Sequence, residues 1–133
     1  MKTKGLDGRT YSISLSQYTN NEKIGASEPH KRARKLLKKL YPFDPILEEL
    51  YIPGNSSSLY ADFYIASQRL MVEVHGEQHF RFIPFFHKTP QGFAESKKRD
   101  REKIDWCELN HIRIVILKDD ENESIWEKRI RDE

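Results

Sequence analysis

Two apolar runs, "LYADFYIA" and "RLMVEVH", are separated by only Ser67 and Gln68. Both are rich in β-branched and aromatic residues, which suit a pleated strand. So short a link makes them an antiparallel pair, because a parallel return needs a crossover of about a dozen residues or more. With the turn centred on Ser67 and Gln68, Tyr64 faces Met71, Asp62 faces Glu73 and Tyr60 faces His75. A four-residue loop with the same centre keeps that register. The turn lacks the glycine or asparagine that tight hairpins favour.

This register poses a problem. Side chains alternate along a strand, so Asp62 shares a face with Tyr60 and Tyr64, and Glu73 with Met71 and His75. Two carboxylates then stand opposite each other with Cβ atoms about 5 Å apart. Like charges at that separation repel, and burial makes the cost larger. A divalent cation is the simplest compensation, and hard oxygen ligands suit Mg²⁺ or Mn²⁺. His75, one step along the same face, could act as a base, orient water or touch a phosphate. The alternative is that one acid is exposed or paired with Arg69 or Lys103. The residues that follow favour the cation: a turn at Gly76 would swing Gln78 and His79 back towards the acids. His75 and His79 are four apart, as in a helical zinc pair, but the glutamate is misplaced for that motif and the preceding run is a strand.

The rest of the chain frames this hairpin. A length of 133 residues suits one domain with a single core. Residues 1–26 read as an N-terminal arm, loop or flexible, with a short strand in "YSISLS"; residues 27–133 read as a single domain. "SEPHKRARKLLKKLY" is a helix capped by Ser27, with Ala33, Leu36, Leu37 and Leu40 as its apolar stripe. "ILEELYI" is a strand, "FRFIPFFHKTPQGF" a loop, "ESKKRDREKIDWCELN" a helix, "IRIVIL" a buried strand and "NESIWEKRIRD" a short helix. That order predicts an α/β or α+β fold, with helices flanking a mixed sheet.

Composition narrows the setting. No apolar run approaches the roughly 18 residues of a membrane span. The N-terminus has no apolar signal core, and Cys107 is the only cysteine, so a reducing cytoplasm is expected. Residues 1–40 carry ten Lys and Arg against three acids, while residues 118–133 carry four against seven. A basic front and an acidic tail suggest a face that meets a polyanion; a solvated helix surface explains the same pattern.

Taken together, "ADFYI", "MVEVHGEQHF", "KRDREKIDWCELNHIRIVIL" and "SEPHKRARKLL" resemble the PD-(D/E)XK nuclease superfamily. The likeness is to its very-short-patch-repair endonuclease branch, including small nuclease-like proteins of phages and bacteria. The resemblance implies a restriction-endonuclease-like, four-stranded mixed sheet flanked by helices. It implies a Mg²⁺- or Mn²⁺-dependent endonuclease that cuts, or nicks, DNA in a bacterial or phage-infected cell, with no small-molecule cofactor and no membrane partner. Asp62 and Glu73 match the two acidic ligands, with the Val74 carbonyl as a further one. His75 stands where most members have lysine, and His79 matches the branch's second histidine. Lys103 or a bound water then takes the lysine's part. Glu28 and His30 are candidates for the group that the first helix often adds, Gln78 supports the site, and Asp100 would orient a histidine. Arg34, Lys35, Lys38, Arg81, His87, Lys97, Lys98 and Arg101 are the expected nucleic-acid contacts, with duplex DNA as partner. A nuclease-fold module that binds without cutting, and a nuclease directed at RNA, are the competing readings.

Overall fold

Apolar side chains sort onto the two faces of one mixed sheet, and that sorting fixes where each helix lies. The structure, a computed structural model, describes residues 1–18, 21–77 and 81–132, with all their side chains except those of Phe85 and Phe86. A two-stranded sheet comes first, β1 (Lys2–Lys4) with β2 (Thr10–Ser12). Helix α1 (Glu28–Leu40) leads into β3 (Leu47–Ile52), β4 (Leu59–Ile65) and β5 (Leu70–His75). The short α2 (Pro84–His87), the long α3 (Pro90–Leu109), β6 (Arg113–Lys118) and α4 (Glu123–Arg131) complete the chain. The larger sheet has the order β3-β4-β5-β6, antiparallel throughout except that β6 runs parallel to β5. This is the α+β class read from the sequence, a four-stranded mixed sheet flanked by helices, with the small N-terminal sheet in addition.

Helix α1 starts where Ser27 accepts the His30 N–H, with Pro29 in the first turn. Its stripe of Ala33, Leu36 and Leu37 packs on Phe63, Ile65, Leu70 and Val72, and α4 adds Trp126 and Ile130 to the same cluster. Arg32 joins the two helices: its Nε donates to Glu123 at 2.7 Å and its guanidinium lies 4.3 Å from the Trp126 ring centroid. The other face of the sheet carries Leu50, Ala61, Tyr64 and Met71 against Trp106 and Cys107 of α3. Burial pushes the Cys107 thiol up to about 12, so it packs as a small apolar group and carries no thiolate chemistry at neutral pH.

Two expectations change. The loop read into "FRFIPFFHKTPQGF" contains α2 and the first turn of α3, which starts at Pro90 instead of Glu95. Thr89 accepts the Gly92 N–H at 3.0 Å, so Pro90, expected in the loop, is the first residue of a capped helix. The segment expected as a loose arm is bonded into the domain. The Met1 ammonium donates to the Ile13 carbonyl at 2.8 Å, Asn110 bonds both backbone groups of Lys4, and Ile13 joins the core. Gly5 lies so close to Gly54 that a Cβ on it would fall 2.7 Å from the Gly54 Cα. Among the described residues, no helix is long and apolar enough to cross a membrane.

The packing of α1 yields a prediction. Leu37 is fully buried, whereas the Glu28 side chain at the start of the helix is 84% exposed. Leu37→Ala should lower stability by about 2–5 kcal/mol in denaturant titration. Glu28→Ala should stay within about 0.5 kcal/mol of the parent.

Candidate active site

The hairpin keeps the expected register only at its base. A 3₁₀ turn at Ala66–Gln68 closes with Arg69 in the left-handed region (φ 46), and the ladder runs Ile65–Leu70, Tyr64–Met71, Phe63–Val72. There it stops. The Asp62 N–H donates to Glu73 Oε2 at 2.7 Å, and the Val74 N–H donates to Asp62 Oδ2 at 2.9 Å. Each carboxylate satisfies an amide that a strand carbonyl would otherwise take. Beyond this point β4 stays with β3 down to Leu59, while β5 stays with β6 up to the His75–Lys118 pair. The sheet forks, and the acids stand in the fork. The expected pairing of Tyr60 with His75 is therefore not made.

Strict alternation also fails at Asp62. Leu59, Ala61 and Tyr64 all belong to the cluster beneath α3, while Phe63 belongs to the cluster beneath α1. Directly across the ladder, Glu49 has φ 54, and the β3–β4 pairing skips from Glu48–Phe63 to Leu50–Ala61. Both strands change face at the same level, so Asp62 does not simply share a face with Tyr60 and Tyr64.

Helix α3 supplies the cation. Lys103 Nζ donates to Glu73 Oε1 at 2.6 Å, with its side chain 16% exposed and that of Glu73 3%. His75 Nε2 lies 4.0 Å from the same oxygen. Burial, and then the neighbouring charge of Asp62, push the Glu73 carboxyl up to about 7, against the pull of Lys103. For Lys103, burial works against the charged form, but Glu73, Asp62 and Asp100 outweigh it and raise its pKa. Asp62, Asp100 and Lys103 line a cleft of about 350 Å³ together with Glu49, Tyr60 and Arg99.

Asp62, Glu73, His75 and Lys103 come together here, Lys103 as an ion-pair partner of Glu73, and Asp100 lines the cleft with Asp62 and Lys103. Val74 enters through its amide. Gln78 and His79 lie outside the described residues. The first helix does not deliver its candidates. Glu28 pairs with Lys31 at the surface, and His30 turns to the opposite side of the sheet, stacking on Phe63 and placing Nε2 2.8 Å from Glu48 Oε1. Glu48 also accepts from Arg34 through both carboxylate oxygens, so Arg34 is a half-buried structural partner and not an exposed phosphate contact. Lys38 pairs with Glu22, Arg81 with Glu77 and Arg101 with Asp105. His87 accepts the Ile83 N–H on Nδ1, which fixes its ring within α2. Lys35, Lys97 and Lys98 are exposed, the last two on α3. Arg69, weighed as a partner for the acids, instead bonds the carbonyls of Asn110 and His111. Sequence reasoning missed Arg99, which sits one turn before Lys103, and Glu49, which the register places across from Asp62. Helical spacing and strand pairing were the signals for both.

The donor set suits a hard dication in chemistry. Burial, and then the charge of Asp62, raise the Glu73 pKa, and Mg²⁺ is commonly held by one or two carboxylates with water and substrate phosphate filling the rest. Among the described residues, no group of three or more His, Cys, Asp or Glu side chains is placed to hold a metal.

No protein-family model and no solved structure matches the chain. It is similar to uncharacterized protein 307L of invertebrate iridescent virus 6, with 30% identity over 94 residues. The match covers 71% of this chain and 44% of the viral protein, so the chain spans less than half the length of that relative.

The charge balance is directly testable. Asp62→Asn should lower the Glu73 titration midpoint below about 7, because it removes a neighbouring negative charge, and Lys103→Met should raise it. Carboxyl-carbon NMR of labelled Glu reads both; a midpoint that ignores both changes would mean that the two charges do not act on Glu73.

Proposed function

We propose that the chain is a Mg²⁺- or Mn²⁺-dependent endonuclease that hydrolyses phosphodiester bonds in DNA, in the cytoplasm of a bacterial or phage-infected cell. One observation carries this reading: Glu73 is buried beside Asp62 at a strand fork, and burial together with that second acid raises its pKa even with Lys103 bonded to it. Asp62 and Glu73 would hold the ion, and a bound dication would neutralise phosphate charge and acidify water. Lys103 keeps a positive charge beside Glu73 and lines the cleft, where it can meet a phosphate oxygen. His75 is positioned beside Glu73 to take or hold a proton. Arg99 and the exposed Lys97 and Lys98 give α3 a cationic surface for the DNA backbone.

A second reading has an observation of its own. Both Glu73 oxygens are engaged, by Lys103 and by the Asp62 amide, which would also serve a module that binds nucleic acid without cutting it. Incubation with supercoiled plasmid and with structured RNA, in Mg²⁺ or in EDTA, separates the cases. The nuclease reading expects plasmid nicking only with metal. Asp62→Ala should lower the rate by about two to three orders of magnitude, the usual scale for removing one preorganised catalytic group. Parent-like cleavage by that variant would end the proposal. Binding without cleavage favours the second reading, and cleavage of RNA alone moves the substrate.

The pH profile follows from Glu73. Below about 7 its carboxyl holds a proton and offers the ion no charge; above that it is ionised. Cleavage at limiting Mg²⁺ should therefore rise with pH through about 7 and then level off, with saturating Mg²⁺ shifting the rise to lower pH.

A further inference from the structure

Tyr51 and Tyr60 are cross-strand partners on β3 and β4, and β3 is the edge of the larger sheet. They are 41% and 47% exposed, their ring centroids are 5.5 Å apart, and the rings are tilted by 58°. Neither belongs to an apolar cluster. Exposed strand positions ordinarily carry polar side chains, and core packing does not explain two neighbouring aromatics here. Tyr60 also lines the cleft that holds Asp62, two residues further along β4. Two residues of strand span about 6.7 Å, which keeps ring and carboxylate within reach of one ligand.

The same cleft presents Lys23, Arg99 and Lys103 beside Glu49, Asp62 and Asp100. A ligand that is anionic at one end and flat at the other can meet these cations one by one, while its flat end supplies the attraction that the balanced wall does not. A nucleotide has that form, but its base shows a free face to a protein ring only when it is unstacked. In an intact duplex the neighbouring base pairs cover those faces. We infer that Tyr60, backed by Tyr51, is a stacking platform for an unpaired base beside the phosphate at Asp62. The preferred substrate is then single-stranded DNA, or a duplex with an unpaired nucleotide, and not an intact duplex. The inference rests on the nuclease reading only for placing the phosphate at Asp62.

The test uses the full chain in EDTA, where cleavage plays no part. The probes are a 2-aminopurine-labelled single strand, the matching duplex, and that duplex with one unpaired nucleotide. Binding is read by anisotropy and stacking by fluorescence quenching. The single strand and the duplex with the unpaired base should bind more tightly than the intact duplex, with quenching. Tyr60→Ala should weaken single-strand binding about 5- to 150-fold, the range that loss of one base–aromatic stack gives. Tyr60→Phe should restore most of the binding, because the ring and not the hydroxyl does the stacking. Equal affinity for all three probes would overturn the inference, as would a Tyr60→Ala variant, folded by circular dichroism, that binds and quenches like the parent. Failure of the nuclease reading shows elsewhere, as no plasmid nicking in Mg²⁺. Single-strand binding that depends on Tyr60 then still supports the platform. Nicking with no dependence of strand preference on Tyr60 sinks the platform alone.

Discussion

Glu73 sits within β5 with 2% of its surface exposed, and a carboxylate there has to be compensated. The compensation shapes much of the domain around it. Its Oε2 takes the Asp62 amide, which cuts the β4–β5 ladder after the Phe63–Val72 pair. The cut lets β4 follow β3 and β5 follow β6, so the sheet opens at this level and nowhere earlier in the hairpin. Its Oε1 takes Lys103, which ties the middle of α3 to the opening. An apolar residue at this position would leave the ladder free to continue.

A second buried carboxylate shows what a finished ion pair looks like in this protein. Glu48, also 2% exposed, lies on the other face of the sheet beneath α1. Burial raises its pKa, but the Arg34 guanidinium, the Lys23 amide and His30 together overcome that and hold it at about 2. At Glu73 burial and Asp62 prevail over Lys103, and the balance falls the other way. The two acids have equal exposure and opposite outcomes. Glu48 is held ionised by several donors, whereas Glu73 is buried beside a second acid that lines the cleft, the condition in which an added cation or proton changes most.

This contrast explains how much was legible in the sequence. Hairpin, register at Tyr64–Met71, stripe of α1 and nearness of Asp62, Glu73 and His75 follow from period and spacing, which are local; Lys103 is expected at the acids only from the family resemblance and as one of two candidate ion-pair partners. The fork does not, because it comes from acid side chains replacing ladder bonds, a choice that periodicity cannot encode. The change of face at Glu49 and Asp62 needs a left-handed residue that is not glycine, so composition gives no sign of it. His30 is expected at the site but faces the other side of the sheet, because the sequence does not say that Glu48 waits beneath α1. Arg34 looked like one more cation in a basic run for the same reason. Its partner lies 14 residues away, on a strand that the helix reaches only after folding.

The charge inventory of the cleft joins these strands of argument. Its lining contains Lys23, Arg99 and Lys103 against Glu49, Asp62 and Asp100, an even balance before Glu73 is counted. A phosphate entering the cleft therefore gains no net attraction from the wall itself. Attraction over distance falls to exposed cations such as Lys97 and Lys98, whose field is screened beyond roughly 8–10 Å in physiological salt. Inside, only an added positive charge tips the balance towards an anion. The acids that would repel a phosphate are the ones that would hold a dication. On the proposed reading the wall would couple the two ligands, each making the site more favourable for the other.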